Sequence, residues 1–279
     1  MTKISVVTLS FNQALFLEKA ILSVLEQDYP EIEYIIVDPG STDQSRAIIQ
    51  KYSDRISKVV LEPDLGPADG LKKGFSLATG DIYGFLNADD FLLPGAISHI
   101  VDRFDQRNSL DVISGHALIV DEHGALVRKF YSDRFDLLSS AYGASILAQP
   151  STFFKASSYK KTAGFNIKNR TNWDDELFMD LKLQGGTFGL THRFLSAYRI
   201  HAQSITAAAD DQTHTAIQNY ASHRFLRIMG RPPRWYDKGA RWLFRIKKHL
   251  LNPLNLYEHL RYGPIYRRYR PIHLKKKLG

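Results

Sequence analysis

Apolar positions alternate between two rhythms along the first hundred residues. Ile4 to Leu9 is a short run rich in β-branched residues, which predicts a strand buried on both faces. After the turn at Phe11-Asn12, the residues Leu15, Leu17, Ala20, Ile21, Val24 and Leu25 recur at helical spacing. Tyr34 to Val37 predicts a second buried strand, ending on Asp38. Gly40-Ser41-Thr42-Asp43 predicts a turn and a helix start, with Ser41 or Thr42 as N-cap and the helix running to about Tyr52. Val59 to Leu61 predicts a third strand and Leu71 to Ala78 a third helix. Ile82 to Leu86 predicts a fourth strand, running into Asn87-Ala88-Asp89-Asp90, and Pro94-Gly95 opens the next helix. This alternation implies βαβ units and a Rossmann-like, mostly parallel sheet with helices on both faces. Such sheets bind ligands beyond the carboxyl ends of their strands. Asp38, Asp89-Asp90 and the turn after Leu9 all fall at such ends.

The middle is less regular. Val112 to Val120 and Leu126 to Tyr131 predict strands about the turn Asp121-Glu122-His123-Gly124. Thr152 to Phe154 predicts another strand, after Gln149-Pro150-Ser151. Glu176 to Leu183 predicts a helix ending at Gly185-Gly186, and Phe194 to Ile200 a strand leading to His201. Beyond about Ala207 the pattern changes to short helices broken by Pro232-Pro233, Pro253 and Pro264. There Trp242, Leu243, Ile246 and Leu250 share one helical face, with Arg241, Arg245 and Lys248 on another.

Charge sharpens that boundary. The 279 residues carry a net +8. From Thr215 to Gly279 there are 16 Lys/Arg against 2 Asp/Glu, so the rest of the chain is net negative. An acidic body with a basic tail points to an anionic partner for the tail. A basic amphipathic stretch with Trp suits an anionic membrane surface through residues 216–279; the competing reading is a helical subdomain packing its apolar face on the body. No RNA- or DNA-binding motif accompanies the charge, which argues against nucleic acid. There are no cysteines, so thiolate metal sites and disulfides are excluded, and a reducing compartment is expected. No stretch approaches the ~20 apolar residues of a bilayer crossing, and Met1 to Phe11 reads as a first strand rather than a signal peptide. The expected location is cytoplasmic, at the cytoplasmic face of the membrane if the tail binds it.

Five segments carry candidate chemistry, each with a structural alternative. Asp89-Asp90, two adjacent carboxylates past an apolar strand, repel each other unless a divalent cation such as Mn²⁺ or Mg²⁺ sits between them; otherwise they form a solvated turn. Asp38 either accepts hydrogen bonds from a base or ribose or orders its own loop. In Asp64 to Gly74 the glycines permit close approach of phosphate to a helix start, although such loops are common. Asp174, Asp175 and Glu176 offer a base for an acceptor hydroxyl, or simply acids that complement a helix dipole. His201, after a strand, completes a metal site only if Asp89-Asp90 forms one.

Together the segments resemble family 2 glycosyltransferases, which have the GT-A fold. The resemblance covers roughly residues 3 to 206 and rests on order: Ser5 to Asn12, Ile36 to Asp43, Glu62 to Gly74, Ala78 to Asp81, Phe85 to Asp90, Gln149 to Ser151, the Asp174 helix, and Tyr198 to His201. It implies an inverting enzyme that moves a sugar from a nucleotide-diphosphate sugar, with uracil the usual base, to a saccharide or lipid-linked saccharide. Residues 1–110 would form the nucleotide-sugar-binding half, 111–206 the acceptor-binding half and 207–279 a basic helical extension. Thr8, Asn12, Asp38, Asp69, Lys72, Asn87, Ala88 and Asp89 would line the donor site. Asp89 or Asp90, with His201, would hold the metal. Asp174 would be the base, with Asp175 as the alternative because it replaces an aromatic residue of the family helix. Asn87 replaces the first carboxylate of the family's Asp-x-Asp signature, a departure that leaves a non-catalytic donor-binding module as a competitor. A sugar nucleotidyltransferase is disfavoured because Val7 to Phe11 lacks a Gly-rich basic loop, and a dehydrogenase because the same turn lacks G-x-G-x-x-G.

Overall fold

The computed structural model of the protein describes residues 1–204, 211–263 and 265. Continuous apolar runs become central strands because both of their faces are covered. β1 (Ile4–Leu9) lies parallel between β2 (Ile32–Val37) and β4 (Ile82–Asn87), and β3 (Lys58–Val60) extends the sheet beyond β2. Alternate residues feed opposite layers. Ile4, Val6, Tyr34, Ile36, Ile82 and Leu86 pack with α1 (Ala14–Leu25) and α4 (Ala96–Gln106). Val7, Ile35, Val37, Tyr83 and Phe85 pack with α3 (Pro67–Leu77) and α7 (Trp173–Leu183).

The second half continues the same sheet with mixed direction. β8 (Thr152–Lys155) pairs antiparallel with β4 and with β6 (Val112–Val120). β9 (Phe188–Arg199) runs parallel to β6, and β5 (Phe91–Leu92) closes that edge antiparallel to β9. β7 (Leu126–Phe130) pairs with β6 off the main path. The sheet order is therefore β3-β2-β1-β4-β8-β6-β9-β5, and one sheet spans both expected halves.

Several boundaries differ from expectation. The N-cap of α2 (Ser45–Lys51) is Gln44, because Ser41 is drawn back to Asp38 and Thr42 to Asn12. α3 starts at Pro67, four residues earlier than its apolar spacing suggests, because Gly66 at φ 123° turns the chain and Pro suits a first turn. A Cβ at Gly74 would lie 2.5 Å from Val7 Cγ1, so glycine lets α3 lie close on β1. Pro94 precedes the Gly95 cap of α4 rather than lying within the helix.

After α5 (Leu137–Ala141) and α6 (Ala156–Tyr159) in the second half come three C-terminal helices: α8 (Asp211–Met229), α9 (Asp237–Leu251) and α10 (Pro253–Tyr262). Phe225 of α8 is buried against Tyr142 and Ala141, with Phe244 of α9 stacked on the same tyrosine. The basic runs Tyr266 to Arg270 and Lys275 to Lys277 lie outside the described residues.

Candidate active site

β1, β2 and β4 end side by side, which gathers the first motifs at one edge. Asp38 follows β2 and is fully buried. Its carboxylate accepts from Ser10 Oγ (3.1 Å), Ser41 Oγ (2.6 Å), the amides of Gly40 and Ser41, and Arg46 Nε (3.2 Å). Burial alone would raise its pKa, but the bonds from Ser41, Arg46 and Gly40 outweigh it and hold the group below the usual carboxylate range. Asp38 is thus the organiser of the loop that carries Asn12. Asn12 has φ 52°, accepts from the Thr42 amide at 2.8 Å, and is exposed. Asn tolerates this left-handed conformation better than most residues.

Thr8 corrects the expectation of a donor-lining side chain. It is fully buried on the α1 side of the sheet, and its hydroxyl accepts from Tyr34 Oη at 3.0 Å. Strand alternation is the reason: Thr8 follows Ile4 and Val6 inward. Asp69 accepts from the Leu65 amide at 3.0 Å and lies 3.5 Å from Lys73 Nζ, so it ties the loop before α3 to the helix. Lys72 is exposed on the outer face of α3.

At the end of β4 the two aspartates part. Asp89 is partly exposed, and its Oδ2 lies 3.0 Å from His201 Nε2. His201 is buried beneath it against Phe16, ring centroids 4.6 Å apart. Asp90 instead turns into the protein at 1% exposure. Its Oδ1 accepts the Arg199 amide at 2.9 Å, and Oδ2 has no partner. Burial, together with the charge of Asp89, pushes its carboxyl well above the ordinary range. Asp90 as a metal ligand is therefore corrected: it fastens the end of β9 and is sealed from solvent. Among the described residues no cluster of three or more His, Asp or Glu could hold a metal. Asp89 and His201 remain as a two-donor set of the oxygen and imidazole type that Mn²⁺ accepts, fitting an ion only if diphosphate oxygens complete its shell.

Two residues at this edge were not anticipated. Arg199 donates from Nε to the Asp89 carbonyl (2.9 Å) and from one terminal nitrogen to the carbonyls of Asp121 and Glu122, and it stacks over Phe16 and Phe91. It fastens the Asp89 turn to the β6–β7 hairpin. Gln149 donates to the Phe85 carbonyl at 2.7 Å and accepts from Asn87 Nδ2 at 3.4 Å. Asn87 therefore serves a neutral network where a carboxylate is usual. Ala88 is buried, its amide donating to the Leu9 carbonyl. That bond joins the ends of β1 and β4.

Asp174 and Asp175 lie in the first turn of α7, which begins at Trp173 rather than Glu176. Asp175 Oδ2 accepts from Tyr220 Oη at 2.9 Å and from Arg224 Nη1 at 2.5 Å. Asp174 has no side-chain partner among the described residues. Burial, helped by the charge of Asp175, pushes its carboxyl up to about 6, against the pull of nearby backbone amides. A carboxylate so raised is suited to take a proton near neutral pH.

The mixed sheet thus gathers Asp38, Asp89 and His201 at its strand ends, and α7 carries Asp174 in its first turn. The family model described as glycosyl transferase family 2 matches residues 5–161, and the chain belongs to that family. It is 36% identical over 129 residues to an uncharacterized glycosyltransferase of Nostoc sp., a match covering 43% of this chain and 40% of that protein. It is 28% identical over 227 residues to the GalNAc(5)-diNAcBac-PP-undecaprenol beta-1,3-glucosyltransferase of Campylobacter jejuni, covering 79% of this chain and 72% of that one. Among solved structures, S. aureus TarS 1-349 in complex with UDP-GlcNAc superposes with a TM-score of 0.66 at 17% identity, covering 96% of this chain and 79% of the other. The mannosyltransferase PcManGT of Pyrobaculum calidifontis, in complex with GDP-Man and Mn2+, superposes with a TM-score of 0.62 at 16% identity, covering 100% and 76%. These likenesses establish the GT-A fold.

Proposed function

We propose that this glycosyltransferase moves a sugar, with inversion, from a UDP-sugar to a saccharide or lipid-linked saccharide in surface-polysaccharide synthesis. The observation that carries the reading is the separation of roles in the two aspartate pairs: Asp89 stands partly exposed beside His201 at the strand ends, and Asp174 on α7 has no side-chain partner among the described residues. In this reading Asp174 takes the proton of the acceptor hydroxyl, whose oxygen attacks C1 from the face opposite the diphosphate. The C1–O bond to the diphosphate breaks, and configuration inverts. Asn12 and Lys72 flank the donor, while Asp38 and Asp69 shape the loops that receive it. Asp89 and His201 would hold Mn²⁺ or Mg²⁺, which when bound neutralises charge on the leaving diphosphate. The ligands of the two structural neighbours, UDP-GlcNAc and GDP-Man with Mn2+, support a nucleotide-sugar and a metal. A thermal-shift panel of UDP- and GDP-sugars with and without Mn²⁺ tests it. Stabilisation of about 2.7 kcal/mol is expected at 100 times the dissociation constant. No shift with any donor, with or without metal, would sink the reading.

A membrane-bound acceptor accords with the C-terminal helices. Phe244 and Asp237 of α9 face the body, whereas Trp242, Leu243 and Leu250 are 64%, 61% and 76% exposed. The apolar stripe thus points away from the protein, flanked by exposed Lys238, Arg241 and Arg245 on one side and Lys247 on the other. Half of the exposed large hydrophobics among the described residues lie between 226 and 262. No helix among the described residues is long and apolar enough to cross a membrane. An apolar stripe edged by cations suits the interface of an anionic bilayer. Sedimentation with vesicles rich in phosphatidylglycerol should capture the full chain and lose the double variant Trp242→Glu, Leu250→Glu. Equal recovery of both proteins would refute this surface.

A further inference from the structure

We propose that Arg224 and Tyr220 of α8 are positioning residues for the catalytic base: by gripping Asp175 they hold the neighbouring Asp174 carboxylate free and fixed. The inference rests on Asp174 as base, and it assigns that residue's placement to the C-terminal helices, outside the segment matched by the family model.

The geometry is a charge-complementary seam. Tyr220, Arg224 and Arg227 are spaced four and three residues apart, so they line one face of α8. Opposite them on α7 stand Asp175, Glu176 and Asp180. Arg224 and Tyr220 both close on Asp175 Oδ2, and Arg227 lies 2.8 Å from Asp180 and 3.7 Å from Glu176. Arg224 also sits over the Tyr220 ring, 5.6 Å from its centroid, which limits where the guanidinium can go. On the other side of α8, buried Phe225 locks into Tyr142. The helix is thereby held between α5 and α7. Glu176 continues the network away from α8, accepting from Asn166 and from Asn169 at 2.6 Å, so the loop before α7 is drawn into the same frame.

The chemistry requires such a device. Two adjacent carboxylates in a first helical turn compete for any nearby cation. A base paired with Arg would be a poor proton acceptor, and an unrestrained one would be badly aimed. Giving Arg224 and Tyr220 to Asp175 meets both needs at once. Among the described residues, the charged or titratable groups on the two helices of the seam are Asp175, Glu176 and Asp180 on α7 and Tyr220, His223, Arg224 and Arg227 on α8. Leu137–Ala141 of α5 brings none.

Steady-state kinetics of the full chain across pH test this. Arg224→Met should lower kcat about 10- to 100-fold with donor KM unchanged. It should also move the acid limb of kcat to higher pH, because Asp175 loses its counter-charge. Asp175→Asn should move that limb the opposite way, by roughly one pH unit, and Arg224→Lys should restore part of the rate. Tyr220→Phe should lower kcat less than Arg224→Met. Variants that lose rate with the limb unmoved, or in proportion to lost folded protein, would show a merely structural seam and overturn the proposal. Asp174→Asn is the control that separates the two ideas. If it retains near-normal transfer, the base assignment falls and this one with it. If it is inactive while Arg224→Met is normal, only the positioning role falls.

Discussion

The protein contains the dipeptide Asp-Asp at two places that read alike in the chain and behave differently in the fold. At the end of β4 the second aspartate is buried with no ion pair among the described residues and spends one oxygen on the Arg199 amide. At the start of α7 the second aspartate stays near the surface and is neutralised by Arg224. In both pairs one carboxylate becomes a structural tie, which leaves the other for chemistry. The difference lies in what the tie does to its neighbour. Asp90 is driven toward its neutral form, so it adds little charge beside Asp89. Asp175 is paired with Arg224, and its proximity helps raise Asp174. The first pair thus leaves a carboxylate suited to a cation and the second leaves one suited to a proton.

The sharpest break in the comparison is Asp174→Asn against Asp175→Asn. The first should lower kcat by about 10²- to 10⁴-fold, the range for loss of a general base. The second keeps an oxygen for Tyr220 and Arg224 and should cost far less, about 10-fold or under. The same variant carries a stability signature. The folded-state pKa of Asp174 is about 6, above its ordinary 3.8, so the folded state binds its proton more tightly than the unfolded state does. Stability is therefore lost as pH rises through this window. Asp174→Asn should melt higher than wild type at pH 7.5, and the gap should close near pH 4. In wild type, kcat should fall tenfold per unit below about pH 6. A stability gap that does not vary with pH would mean that Asp174 is not the raised group.

Asp89 comes next. Asp89→Ala should cost about 10²- to 10³-fold in kcat, the size expected for losing charge stabilisation of a leaving group. EDTA should abolish wild-type transfer and Mn²⁺ restore it. Asp89→Ala should respond weakly to added Mn²⁺. Full activity in EDTA would remove the metal from the comparison and leave the Asp89–His201 bond as a purely structural contact.

How far these roles could be read beforehand depended on the physics each residue obeys. β1 and β6 begin and end where their apolar runs do, because strands buried on both faces tolerate little else. β5 has two residues, too few for any periodicity to show, yet it closes the sheet beside Asp89. The motif positions Asp38, Asp89 and His201 were legible, because strand ends follow from strand runs. Their burial was not: Asp90 and Asp89 differ only in which way the turn carries them, and that depends on an amide more than a hundred residues away. Arg199 stood inside a recognised motif without a role, since three carbonyls from two distant turns define it. The Arg224 seam left a readable trace, with basic residues at helical spacing facing acids at helical spacing. It is obscured in the chain because Arg224 and Asp175 lie 49 residues apart and nothing local says which face of α8 meets α7.

A middle-sized effect tests the tie at β4. Asp90→Ala leaves the buried Arg199 amide without an acceptor, which should destabilise by about 1–3 kcal/mol. Activity should fall with it, because β9 carries Arg199, which fastens the Asp89 carbonyl, and leads into His201. Destabilisation with unchanged kinetics in the folded fraction would separate the tie from the site.

The variant expected to disturb activity least is the most discriminating for the comparison itself. Asp90→Asn keeps a carbonyl oxygen for the Arg199 amide and adds no charge. If the fold holds Asp90 neutral while the unfolded chain ionises it, the wild type loses stability as pH rises above about 4, and Asp90→Asn, which never ionises, should gain on it through that range. The added NH₂ would stand where Oδ2 now has no partner, a small penalty that should not depend on pH. Chemical denaturation at pH 5, 7 and 8.5 decides. A gap that shifts in the variant's favour from pH 5 to 8.5 supports an Asp90 held neutral in the fold. A gap that stays flat, or that turns against the variant as pH rises, would mean that Asp90 is charged in the fold and that the two aspartate pairs are built on the same principle after all.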